Sequence, residues 1–145
     1  MAIEIITDAK TGRVTEREYT PKPVPITPAQ VNAERDRRLE MDFTFNGEKF
    51  QRDQKSLSRI SGAASLAGFA IAQGAQPGDL RWHGGDADFV WIASNNSLMP
   101  MDAQTVFAFG QVAANVETRI IFAAKQLREM DHIPDPATWE GWPDV

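Results

Sequence analysis

Residues 102–130 read DAQTVFAFGQVAANVETRIIFAAKQLREM, and no proline interrupts them. Val106, Phe109, Ala113, Val116, Ile120, Ala123, Leu127 and Met130 recur at intervals that alternate between three and four. That spacing places all of them on one stripe of a helix. Asp102 stands where its carboxylate can accept the free N–H groups of the first turn and meet the positive end of the helix dipole. Arg128 suits the negative end, and Pro134 forbids continuation. Such a stripe needs a cover. It is either the core face of a folded monomer or a seam between copies of the chain. The flanking positions show no clean alternation of charge, and Ala113 and Ala123 suit tight packing, which favours the core.

A second helix supplies the natural cover. It starts at Asp53 or Ser56, runs to about Gln73 and stops at Gly74. Leu57, Ile60, Ala64, Ala67 and Ile71 share one face. Its middle, SGAAS followed by AG, includes Gly62 and Gly68, each about 1 kcal/mol less favourable in a helix than Ala. Two such glycines predict that another backbone comes close. Gly110, Ala113 and Ala114 form a matching lean patch, so the two long helices are expected to pack together at short distance.

Between these helices, Leu80-Arg81-Trp82 and the segment DFVWIA (residues 88–93) read as short strands joined through Gly84-Gly85, with Asn95-Asn96 forming the next turn. Upstream, FTFNGEKF (residues 43–50) reads as a tight hairpin closed by Asn46-Gly47, with Phe43, Phe45 and Phe50 on the core side. The expected architecture is α+β: a small antiparallel sheet with two long packed helices, preceded by an N-terminal β-hairpin arm and a short helix. Thr27-Pro28 starts that short helix, which has a thin apolar face around Val31.

The arm occupies residues 1–20. Ile3, Ile5 and Thr7 alternate with Glu4 and Ile6; Val14, Glu16 and Glu18 alternate with Thr15, Arg17 and Tyr19. Asp8 and Gly12 supply turn chemistry. A lone two-stranded hairpin is marginal in water, so this one needs another surface. Residues 21–28, PKPVPITP, form a stiff extended spacer. The α+β module then spans 29–131, and a Pro/Trp tail, 132–145, carries Trp139 and Trp142, which should lie in a groove of this chain or of a neighbour. A spacer is hard to explain if the hairpin folds back on its own core. Ile3, Ile5, Val14 and Tyr19, with Trp139 and Trp142, are therefore the expected partner-binding residues.

Composition narrows the function classes. With 42% hydrophobic and 24% charged residues, the chain of 145 residues falls in the globular range. A net charge of −5 argues against nucleic acid, because the one basic run, Arg35-Asp36-Arg37-Arg38, is interleaved with acids. There is no cysteine, no signal-peptide pattern and no apolar run of about twenty residues, so a soluble chain made inside a cell is expected.

Trp82, His83, Asp86 and Asp88 make the most suggestive polar cluster. They could bind a sugar through the aromatic ring and carboxylates, or a cation. The plainer reading, a turn that needs Gly and Asp with Trp82 in the core, is the stronger one. Carboxylates two apart on a strand do not straddle a glycosidic bond, and there is neither a nucleophile elbow nor a phosphate loop. His132 has no evident partner. No residue is assigned to catalysis, to a metal or to a cofactor, and no enzyme is expected.

The ordered series Phe43-Thr44-Phe45-Asn46-Gly47, Phe50-Gln51, Asp53, Ile60-Ser61-Gly62-Ala63-Ala64, Gly74, a Trp-containing strand, Asn95-Asn96-Ser97, Met101-Asp102-Ala103, Phe109-Gly110 and Leu127-Arg128 resembles an uncharacterised family of unknown function. That family occurs in tail-fibre and tail-tip associated proteins of tailed bacteriophages and prophages. The opening hairpin with its spacer is similar to the leading segments of small phage proteins encoded beside tail fibres. The resemblance implies a virion tail component, synthesised in the host cytoplasm and present in several copies. Its arm would dock on a fibre or baseplate protein, and it would contribute to host attachment. A fibre-assembly chaperone that leaves the mature particle, and a tail-tip module that binds host surface glycan through the Trp82–Asp88 loop, are the alternatives.

Overall fold

The computed structural model describes residues 2–145. Two strands, β1 (Ala2–Thr7) and β2 (Val14–Tyr19), precede helix α1 (Pro28–Leu39) and a tight hairpin of β3 (Phe43–Phe45) and β4 (Glu48–Phe50). Helix α2 (Gln54–Ala72), a second small hairpin of β5 (Val90–Ile92) and β6 (Leu98–Pro100), and helix α3 (Ala103–Arg128) come next. The α+β class and the packed pair of long helices are as the sequence predicts.

Helix α3 is the spine. Its 26 residues span about 39 Å. Asp102 caps it, accepting the Thr105 N–H at 2.8 Å on one carboxylate oxygen and the Gly78 N–H at 2.8 Å on the other. The cap therefore also ties down the loop that leaves α2. Val106, Phe109, Ala113, Val116, Ile120, Ala123 and Leu127 are buried, so the stripe is core. Around Phe109 sit Phe43, Phe45, Phe50 and Trp91, with ring centroids 4.9–5.4 Å from its own. Asn46 (φ 49°) and Gly47 (φ 81°) both take the left-handed conformation that a two-residue hairpin turn requires. They thereby aim Phe43, Phe45 and Phe50 at one target.

Helices α2 and α3 run antiparallel and meet where side chains are smallest. A Cβ added at Gly110 would lie 2.4 Å from the Ala64 Cβ, a distance that forces the backbones apart. At Gly68 an added Cβ would sit 3.5 Å from the Phe107 ring. Gly62 departs from expectation: nothing lies within 4 Å of its missing Cβ, because it faces outward. Only one of the two α2 glycines faces the partner helix.

The strands also differ in detail. Among the described residues there are three separate antiparallel pairs, β1–β2, β3–β4 and β5–β6, instead of one joined sheet. Leu80-Arg81-Trp82 forms turns and not a strand; the strand that pairs with 90–92 is 98–100. The physical reason is that the Trp82 indole N–H donates to the Met101 carbonyl at 3.1 Å, which draws the segment onto the start of α3. A backbone bond from the Ser94 N–H to the Lys49 carbonyl, at 2.8 Å, joins the two small hairpins of the module.

Arg52 is the one fully buried charged side chain among the described residues. Its Nη2 donates to the Arg38 carbonyl at 3.1 Å, where the C-terminal end of α1 favours a cation. Burial pushes its pKa down, and Glu117 and Glu40 oppose that shift.

Candidate functional site

The β1–β2 arm is built by local chemistry alone. Asp8 Oδ1 accepts the Lys10 and Thr11 N–H groups at 2.8 and 3.1 Å, which holds its carboxyl below the usual range, and Gly12 closes the turn at φ 68°. The register pairs Ile3 with Glu18, Ile5 with Glu16 and Thr7 with Val14. Directly opposed residues share a face of a ladder. One face of the arm therefore carries Ile3, Ile5 and Val14 beside Glu16 and Glu18. The other carries Ala2, Ile6, Thr15 and Tyr19 around the Glu4–Arg17 ion pair, whose atoms are 2.7 Å apart. Of the four arm residues expected to bind a partner, Ile3, Ile5 and Val14 share one face and Tyr19 lies on the other, as its alternation with Val14 requires.

Neither face has a substantial cover. Among the described residues no helix or further strand packs extensively on the arm, and Ile3, Ile5 and Val14 are 64%, 66% and 59% exposed. The spacer carries no helix or strand, with Val24 in solvent, until Thr27 starts α1 and Gln30 Oε1 accepts the Thr27 N–H at 2.8 Å.

The other expected partner residues are used differently. Trp142 is buried within this chain: its indole N–H donates to the Pro136 carbonyl at 2.8 Å, and the Arg38 guanidinium lies 4.9 Å above its ring. Trp139 packs edge-on against it at 5.4 Å and is half-buried. The groove for the tail is on this chain, so Trp142 leaves the list of surfaces open to a partner. Two tryptophans in a polar tail need a cover, and the sequence does not reveal that α1 supplies it.

The Trp82 loop does not converge on a site. Trp82 packs at a tilt against Phe89, ring centroids 4.9 Å apart, and is held by its bond to Met101. His83, Asp86 and Asp88 are exposed, and Asp88 pairs with Arg81 at 3.5 Å. Among the described residues, no three His, Asp or Glu side chains come together as metal ligands. A hollow lies elsewhere, a cleft of about 350 Å³ between the start of α2 and the β5–β6 hairpin, edged by Gln51, Ser56, Arg59, Trp91 and Asn96. Sequence reasoning misses it, because its lining comes from three separate segments with no shared spacing. Among the described residues, no helix is long and apolar enough to cross a membrane.

No curated protein and no solved structure matches the chain. One domain family does, over residues 26–138, which leaves the arm outside the match and takes in α1 through Trp82, α3 and the start of the tail. The chain belongs to the family described as Domain of unknown function (DUF4376).

Proposed function

We propose that this chain is a structural component of a phage tail, a tail-fibre or tail-tip associated adaptor that docks by its N-terminal arm on a fibre or baseplate protein. The observation that carries the reading is the arm itself: a ladder whose Ile3, Ile5 and Val14 are exposed, followed by a proline-rich spacer without helix or strand. A two-stranded hairpin gains lasting order only against a surface. With little provided by the rest of this chain, a partner is the natural source. The family match begins at residue 26, inside the spacer, which supports treating the arm as a unit apart from the module. The resemblance of residues 42–130 to tail-associated phage proteins supplies the context, a virion holding several copies.

The composition of the docking face specifies the partner's chemistry. Glu16 and Glu18 flank the Ile3–Ile5 stripe, so the receiving surface is an apolar slot rimmed by Lys or Arg. The module would then be presented outward, where it contributes to host attachment.

The test is a mass-spectrometric inventory of purified particles, paired with capture of tail proteins by the purified chain. The adaptor reading expects the chain in the particle, and expects Ile5→Asp and the double change Glu16→Lys/Glu18→Lys to abolish capture. Absence from particles together with capture of unassembled fibre would replace the adaptor with an assembly chaperone. Capture undiminished by both arm variants would overturn docking through the arm.

A further inference from the structure

We propose that the outer face of the α2–α3 pair is a twofold self-association surface, whose occupant is the same face of a second copy of this chain. From Ile60 to Gly78 there is no Asp, Glu, Lys, Arg or His, and none from Ala103 to Val116. Those two uncharged stretches lie side by side, since Gly110 abuts Ala64 and Gly68 abuts Phe107. Their solvent side keeps large apolar groups in water: Leu66 is 64% exposed, Phe69 69% and Phe107 42%. Between the helices runs an open hollow of about 390 Å³, floored by Ala64, Ser65, Gly68 and Ala72 and bordered by Phe69 and Phe107.

Charge decides the occupant. The arm of another copy would bring Glu16 and Glu18 onto a patch that offers neither Lys nor Arg, and their desolvation would go uncompensated. Any partner that presents charge meets the same obstacle. A second copy of this face brings none, although the chain as a whole carries −5 and repels itself elsewhere. The patch also holds both halves of a complementary fit, with projecting phenylalanines beside a lean hollow. A twofold axis sets each copy's Phe69 over the partner's small residues. The product is a bundle of four helices, with small side chains allowing close approach. This surface lies apart from the arm and does not depend on what the arm binds.

Sedimentation of the full-length chain over a wide dilution series tests the proposal. The expected species has twice the chain mass of 16.1 kDa. Phe69→Glu, on the projection, and Ser65→Glu, on the hollow, each raise the dissociation constant at least tenfold and leave the helical circular dichroism unchanged, as both residues are exposed. Removal of residues 1–20 leaves the dimer intact. A monomer at every concentration overturns the proposal, as does a dimer indifferent to both substitutions. A dimer lost with the arm, or a species larger than a dimer, overturns it too; capture of tail proteins is scored separately, so the two readings fail independently.

Discussion

Two hairpins in this molecule share a binary pattern and meet opposite fates. In β3–β4, Phe43, Phe45 and Phe50 alternate with Thr44 and Lys49, and all three rings are buried against Phe109. In β1–β2, Ile3 and Ile5 alternate with Glu4 and pair across to Glu18 and Glu16, and they remain in solvent. The shorter hairpin has three cross-strand pairs and the longer one six, so pairing alone does not decide which face is covered. The connection leaving each hairpin decides it. Three residues separate Phe50 from α2, which folds straight back along α3, whereas a proline spacer holds the arm away from the helices. The arm's ladder also mixes Glu with Ile on a single face, a composition that a purely apolar core would reject. Alternation specifies a face, and the connection specifies whether that face is used inside the chain.

The contrast breaks most completely if the arm matters to the module's own stability. Deleting residues 1–20 is expected to abolish partner capture while the remainder unfolds at an unchanged temperature, monitored by circular dichroism. Collapse of the truncated chain would erase the boundary. Next in size, Phe109→Ala should cost about 3–5 kcal/mol in a denaturant titration, as four rings lose their common partner. Ile5→Ala in the exposed arm should stay within about 0.5 kcal/mol. An equal cost at the two sites would mean that the arm is core.

The helix interface offers a finer test. Gly110→Ala places a methyl against Ala64 and should destabilise by about 1–2 kcal/mol, despite the helix propensity it gains. Gly62→Ala meets open space and should stabilise by about 0.5–1 kcal/mol. Matching signs at the two glycines would refute the close contact. The cap gives an effect of similar size. Asp102→Ala should cost about 1 kcal/mol, through the lost bonds to Thr105 and Gly78.

The cap's pH dependence has a definite sign. Hydrogen bonding by Thr105, then by the Gly78 N–H, holds the folded-state pKa of Asp102 below its ordinary value. A carboxylate with a depressed pKa stabilises fully above its unfolded value of about 3.9, and that contribution is lost as the pH falls through the folded one. The difference in unfolding free energy between Asp102→Ala and the parent chain should therefore be constant above about pH 5 and shrink as acid is added. A difference that grew on acidification would contradict the assigned role.

Much of this is legible in the chain because it is local. Asp102 as cap, Thr27-Pro28 as a start, Asn46-Gly47 as a turn and the three-and-four spacing of Val106 to Leu127 each depend on neighbours within a few residues. The lean patches of α2 and α3 announce their contact in the same way. The candidate surfaces are less legible. Alternation separates Val14 from Tyr19 within their strand, yet which of the two joins Ile3 and Ile5 on a face depends on register, which a hairpin's turn sets and a set of residue names does not. Trp82 and Trp142 look alike as aromatic residues in polar segments. Both are committed inward by hydrogen bonds to the Met101 and Pro136 carbonyls.

By itself, then, the sequence determined where helices start and stop, which of their faces are apolar and where the chain changes character at the prolines. Those are consequences of backbone geometry and short-range chemistry. Only the tertiary structure decided which apolar faces find a cover. It buried Trp142 beneath Arg38, turned Gly62 outward and Gly110 inward, and left Phe69 and Ile5 in water. The hydrophobic effect drives apolar area out of water without direction, and the match between faces distant in the chain settles which pairs meet.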